Sequence, residues 1–142
     1  MHTAFDNPVT VPEPAGHYSH VARLNFGQGV LLWVSGQLAL DHDHLIVGSG
    51  DMTAQTRRVF EILGAILAAH GASFKDVVNI RSYLVDMDRV DEYGVVRREY
   101  LRGEVPSSTT VGVTTLVIPG ALVEIDVTAV VGCVGDSANG TS

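Results

Sequence analysis

Two carboxylates, Glu124 and Asp126, stand two residues apart inside the apolar run Ala121 to Val131, ALVEIDVTAVV. A strand period of two places Val123, Ile125, Val127 and Ala129 on one face, and Leu122, Glu124, Asp126, Thr128 and Val130 on the other. The two acids then share a face, roughly 7 Å apart along the strand. Acidic residues are depleted in strands, so a pair here needs a reason. The plain one is a face turned to solvent or to another subunit. The chemical one is a carboxylate pair in which crowding and burial tune one member to hold or move a proton.

The other residues able to do chemistry are less organised. Of the six histidines, none has metal-ligand spacing. His42 and His44, with Asp41 and Asp43 beside them, could hold a divalent cation weakly, but a solvated loop is the simpler account. His70 falls where the first helix closes and suits the negative end of its dipole. Arg97 and Arg98 read as a solvated helix face, with an anion clamp as the alternative. There is no glycine-rich phosphate loop, no G-x-S-x-G elbow and no nucleophile–base spacing. Neither a metal nor an organic cofactor is implied.

Composition bounds the partners. A chain of 142 residues that is 46% hydrophobic is long enough for one domain with a substantial core. Its net charge of −7 disfavours a nucleic-acid backbone or an anionic membrane surface. The one cysteine, Cys133, cannot make an internal disulfide. No basic-then-apolar leader opens the chain, and no apolar run approaches the ~20 residues of a spanning helix. A cytoplasmic protein is expected.

The elements that must position Glu124 and Asp126 follow in order. Residues 1–17, with Pro8, Pro12 and Pro14, read as an extended N-terminal arm without an element of their own. Tyr18 to Phe26 is a first strand, Gly27-Gln28-Gly29 a hairpin break, and Val30 to Gln37 a strand covered on both faces. A loop from Leu38 to Gly50 allows a short strand at 45–47. Asp51 or Thr53 caps a helix whose stripe is Val59, Ile62, Leu63, Ile66 and Leu67, and Gly71 ends it. Val77 to Val85 alternates as a strand. Asp88 caps a second helix with Asp91 and Glu92 in its first turn and Arg97, Arg98 and Arg102 toward its end, and Gly103 closes it. Thr109 to Val117 and Ala121 to Val131 are two further strands joined by a turn at Ile118-Pro119-Gly120. Residues 133–142 form a flexible tail. The order β-β-α-β-α-β-β predicts an α+β domain, two helices on one mixed sheet, over residues 18–132.

Trp33-Val34-Ser35-Gly36-Gln37, Ala54-Gln55-Thr56, Pro106 to Val113, and Pro119-Gly120-Ala121-Leu122-Val123-Glu124-Ile125 together resemble the RidA/YjgF family. The similarity runs from about Tyr18 to Val131. It implies a chorismate-mutase-like fold assembled as a homotrimer around a central barrel, with small-molecule sites in the clefts between subunits. It also implies hydrolysis of reactive enamines and imines. On this resemblance Glu124 is the catalytic carboxylate that positions or activates water as a base, and Tyr18 and Ser35 line the cleft. Three family site positions differ here. Ser108 stands where the family carries the arginine that clamps a substrate carboxylate, Thr110 replaces a cysteine, and Gly94 replaces an asparagine.

A serine hydroxyl cannot reproduce a bidentate arginine–carboxylate fork, so 2-imino acids are expected to be poor substrates. Two functions follow. One is an enamine/imine deaminase-type hydrolase of altered specificity, and the other a non-catalytic trimeric small-molecule binder of the same fold. The ribonuclease activity sometimes attached to the family sits badly with the acidic charge.

Overall fold

The computed structural model of the protein describes residues 1–132. Eight main elements follow one another: β1 (His2–Asp6), β2 (Val21–Asn25), β3 (Gly29–Gln37), α1 (Met52–Ala68), β4 (Val77–Leu84), α2 (Val90–Tyr100), β5 (Ser107–Gly112) and β6 (Val123–Gly132). The six strands make one sheet in the order β1-β2-β3-β6-β4-β5. Only β4 and β5 run parallel, and every other neighbouring pair is antiparallel. Both helices lie on one face, as expected of two helices on a mixed sheet.

The last strand in sequence lies near the middle of the sheet. Its expected apolar face, Val123, Ile125, Val127 and Ala129, is fully buried. Leu32 and Val34 of β3 and Ile80 and Leu84 of β4 join it under the α1 stripe Val59, Phe60, Ile62, Leu63, Ile66 and Leu67. Each such leucine, isoleucine or phenylalanine stabilises the fold by about 1.5–3 kcal/mol when fully buried. Phe60 stacks on Tyr100 at 4.9 Å between ring centroids, with Phe74 edge-on to both, and this locks α1 to the end of α2.

Local signals account for the ends of α1. Asp51, rather than Thr53, is the cap, its carboxylate accepting from the Ala54 N–H at 3.0 Å. Gly71 adopts φ 71° just past the end, and the Ala72 N–H returns to the Leu67 carbonyl. His70 serves this terminus too, its Nδ1–H donating to the Ile66 carbonyl at 3.0 Å.

Several expectations are corrected. The arm contains β1, which pairs with β2, and Asp6 at its end is bonded both to Arg23 and to His70. The first expected strand starts at Val21, since Tyr18 lies in the bend before it. Val30 to Gln37 is covered on one face alone, leaving Trp33 52% exposed. Residues 45–47 contribute an isolated Leu40–Ile46 bridge and no strand. Asp88 does not cap the second helix. Asp86 caps a short 3₁₀ turn, Met87–Arg89, that leads into α2.

The strand expected to reach Val117 stops at Gly112. Its neighbour β4 ends at Leu84, and beyond the Val113 N–H to Leu84 carbonyl bond there is nothing to pair with. Residues 113–122 form a connection closed by Gly120 at φ 88°. β5 and β6 are therefore not neighbours, and β4 lies between them. The expected tail, 133–142, lies outside the described residues, as does Cys133.

Buried Gln55 pins this connection. Its Oε1 accepts from the Leu122 N–H at 2.8 Å, and its Nε2 donates to the Gly48 and Gly120 carbonyls, each at 3.1 Å. Neighbouring Thr56 is just as buried but bonds only the Met52 carbonyl of its own helix. Gln55→Leu is expected to cost roughly 2–3 kcal/mol by stranding buried backbone groups of two loops, against under about 1 kcal/mol for Thr56→Val. Urea midpoints at one fixed chain concentration test this, and equal shifts would remove the role given to Gln55.

Candidate functional site

The period of β6 sends Glu124 and Asp126 to the face away from the helices. Cross-strand partners point the same way, so Tyr83 lies beside Glu124, Arg81 beside Asp126, and Trp33 beside Thr128. On the β3 side the ladder is interrupted. Val34 pairs with Val127 and Gln37 with Ile125, so Ser35 and Gly36 together oppose Asp126 alone. This is a β-bulge, which re-aims side chains next to it. Glycine at 36 leaves room for the Glu124 carboxylate, which a Cβ there would displace.

An open cleft of about 370 Å³ results, lined by Tyr18, Trp33, Ser35, Gly36, Arg81, Glu124 and Asp126, among others. The two acids in it have different hydrogen-bonding surroundings. Asp126 is 9% exposed and fully engaged, accepting from Arg81 Nε at 2.8 Å and from the Tyr83 hydroxyl at 3.1 Å. Glu124 is half-buried and, among the described residues, accepts no hydrogen bond. Burial, and then the nearby Asp126 charge, raise its carboxyl above the ordinary carboxylate range. Burial likewise raises the Tyr83 phenol, helped by Asp126, while the bond to Asp126 raises Arg81 further.

The supporting shell is polar and closed. Ser35 donates its hydroxyl proton to the Ser19 carbonyl at 2.7 Å, which leaves its oxygen as an acceptor toward the cleft. His20 places Nε2 2.7 Å from the Pro12 carbonyl, so that nitrogen carries the proton and Nδ1 accepts from Gln37 at 3.1 Å. These bonds hold the arm against β3 and seat Tyr18, 46% exposed, at the cleft mouth.

Tyr18, Ser35 and Glu124 therefore meet, and Gly94, Ser108 and Thr110 do not join them within one chain. In the parallel ladder Ser108 lies beside Ile80 and Thr110 beside Ser82, which puts both on the helix side of the sheet. Gly94 is on α2, next to Tyr93, whose hydroxyl is hydrogen-bonded to Ser82. Arg97 belongs to that side too, donating to the Tyr93 hydroxyl at 2.9 Å. Sequence reasoning passed over Trp33 and Gly36 as site residues. Trp33 and Arg81 are at alternate positions of strands flanking β6, a signal visible only once the neighbours are known.

The His42/His44 loop is occupied with itself. Asp41 accepts from the Asp43 and Leu45 N–H groups, and the His44 ring bonds the Glu13 carbonyl. Among the described residues no group of three or more metal-ligating side chains occurs.

A raised carboxyl pKa makes a signed claim about stability. The contribution of Glu124 is fully present below its ordinary pKa of 4.5 and is lost as pH rises through the higher folded value. Glu124→Gln should therefore match wild type at the acid end of this window and become the more stable protein above it. Thermal midpoints of both proteins across pH check this, and parallel curves would show a Glu124 carboxylate with no such strain.

Comparison with known proteins agrees with this architecture. The profile of the endoribonuclease L-PSP family matches residues 9–131. Protein DfrA of Myxococcus xanthus is 36% identical over 119 residues, covering 84% of this chain and 88% of its own. A RutC family protein of Sulfurisphaera tokodaii is 34% identical over 127 residues, covering 89% and 96%. A crystal structure from Thermotoga maritima superposes with a TM-score of 0.81 at 30% identity, over 92% of this chain and 98% of that one. RidA from an Antarctic Psychrobacter gives 0.74 at 30% identity, over 85% and 94%. With the profile spanning nearly the whole described chain and the strand order and cleft in place, the chain belongs to the endoribonuclease L-PSP family, the RidA/YjgF family.

Proposed function

We propose that the protein is a cytoplasmic enamine/imine deaminase-type hydrolase, acting without a cofactor on a small metabolite and differing in specificity from 2-imino-acid enzymes. The observation that carries this is Glu124, a half-buried carboxylate with a raised pKa and no hydrogen-bond donor of its own, facing an open cleft. A carboxyl raised above the ordinary carboxylate range is suited to taking and returning a proton. As water bonds to the imine carbon, Glu124 takes its proton and returns it to the nitrogen, forming a carbinolamine. Glu124 then takes the hydroxyl proton and passes it to nitrogen as the C–N bond breaks, leaving a carbonyl compound and ammonia. Ser35 and Tyr18 orient the water and the substrate.

The cleft is completed by a second copy in a homotrimer on this proposal. Phe5, Val111 and Val130 lie exposed on the sheet face away from the helices, apolar surface that a partner subunit would cover. Such a partner would bring the helix-side group Gly94, Ser108 and Thr110 to the Glu124 of its neighbour. Sedimentation at micromolar concentration is expected to give three copies of the 15.1 kDa chain, and a monomer would refute the assembly.

One observation favours the binder instead. Ser108 is an uncharged side chain on an edge strand, so no residue at that position clamps an anion. Glu124→Gln separates the two functions. A hydrolase loses at least about a hundredfold in turnover while keeping its ligand, whereas a binder shows no wild-type turnover to lose. Gly36→Ala is expected to follow Glu124→Gln in activity while its fold remains intact, since the new methyl displaces only the end of a flexible side chain.

A further inference from the structure

We propose that the cleft selects a positively charged imine without a neighbouring carboxylate, an iminium whose cation rests against Trp33 and Tyr18 opposite Glu124. This rests on the hydrolase proposal above and names its substrate class.

The argument begins with the charges. Three side chains that carry charge line the cleft: Arg81, Glu124 and Asp126. Arg81 is spent on Asp126, 2.8 Å away, and the Tyr83 hydroxyl closes the other carboxylate oxygen. Of the charged side chains that this chain itself brings to the cleft, what remains is Glu124, which leaves a single uncompensated negative charge when it ionises. An anionic substrate placed beside it meets repulsion from Glu124 and finds, among the described residues of this chain, no free cation on this face of the sheet. Arg97 does not help within the chain, because it is held to Tyr93 across the sheet.

The aromatic lining points the same way. Trp33 is 52% exposed and Tyr18 46% exposed, and both border the cleft. Half-exposed rings beside a lone carboxylate attract organic cations through their negative faces, tryptophan most strongly. A protonated imine would satisfy Glu124 as a counter-ion, and its charge makes the carbon more open to attack by water. Ionised Glu124 is therefore both the recognition element and the base, and the net reaction is an iminium plus water giving a carbonyl compound plus ammonium. Ser108 then fits the site, since a substrate with no carboxylate needs no clamp.

Trp33 is the sole tryptophan, so its fluorescence reports on the cleft directly. The test titrates the native oligomer with pyrrolidine, a cyclic ammonium at neutral pH, and with proline, the same ring bearing a carboxylate. Pyrrolidine is expected to bind at least about tenfold more tightly than proline. That preference should vanish in Glu124→Gln. By calorimetry, Trp33→Leu should weaken pyrrolidine about three- to tenfold. In parallel, imines are generated in place by an amine oxidase from a primary amine and by an amino-acid oxidase from the matching amino acid, and extra ammonia release is measured. Faster release from the amine-derived imine supports the proposal. Proline binding as tightly as pyrrolidine, or faster release from the 2-imino acid, overturns it, and in the second case the hydrolase proposal survives. Glu124-dependent pyrrolidine binding without any acceleration supports the cation site and removes the hydrolase proposal instead.

Discussion

One strand carries both the core and the site. β6 is hydrogen-bonded on both edges, by β3 and β4, and covered by helices on one face only. Once Val123, Ile125, Val127 and Ala129 are committed to the core, the pleat leaves Glu124 and Asp126 no choice of face. A register slip of one residue would bury both acids under α1 and expose the four apolar side chains. The burial that stabilises the fold is thus the same constraint that delivers the carboxylates to the cleft.

The two acids start from the same strand face and end in different states because their neighbours differ. Asp126 faces Arg81 and Tyr83, both from β4, and is held by a charged and a neutral donor. Glu124 faces the bulge at Ser35 and Gly36, where the backbone offers it space and no donor. Desolvation without compensation raises the Glu124 carboxyl pKa. An asymmetric pair of this kind can assign one acid to structure and the other to chemistry.

Around the cleft, buried side-chain amides and rings take the place of regular ladders. Gln55 ties the 113–122 connection to the loop before α1, and Gln37 with His20 ties the arm to β3. Buried loop backbone must find hydrogen-bond partners, and here three side chains supply them. They also set where Tyr18 and Val117 stand at the cleft rim. Ser82, Tyr93 and Arg97 form a comparable chain on the helix side, joining β4 to α2.

The sequence by itself determined the parts that local chemistry specifies. The alternation of Ala121 to Val131 put the two acids together, the α1 stripe and Asp51 set that helix, and Gly71 ended it. The quoted motifs pointed to the family, and through it to Tyr18, Ser35 and Glu124 as companions. Only the tertiary structure decided which strands lie beside β6, and hence that Arg81 belongs to Asp126 and Trp33 to the cleft. It alone placed Ser108 and Thr110 across the sheet from Glu124, ended β5 at Gly112 and gave the arm a strand. Periodicity and caps are read within a few residues of chain, but strand partners are separated by tens of residues. Parallel pairing through a crossover helix leaves no short turn to announce it.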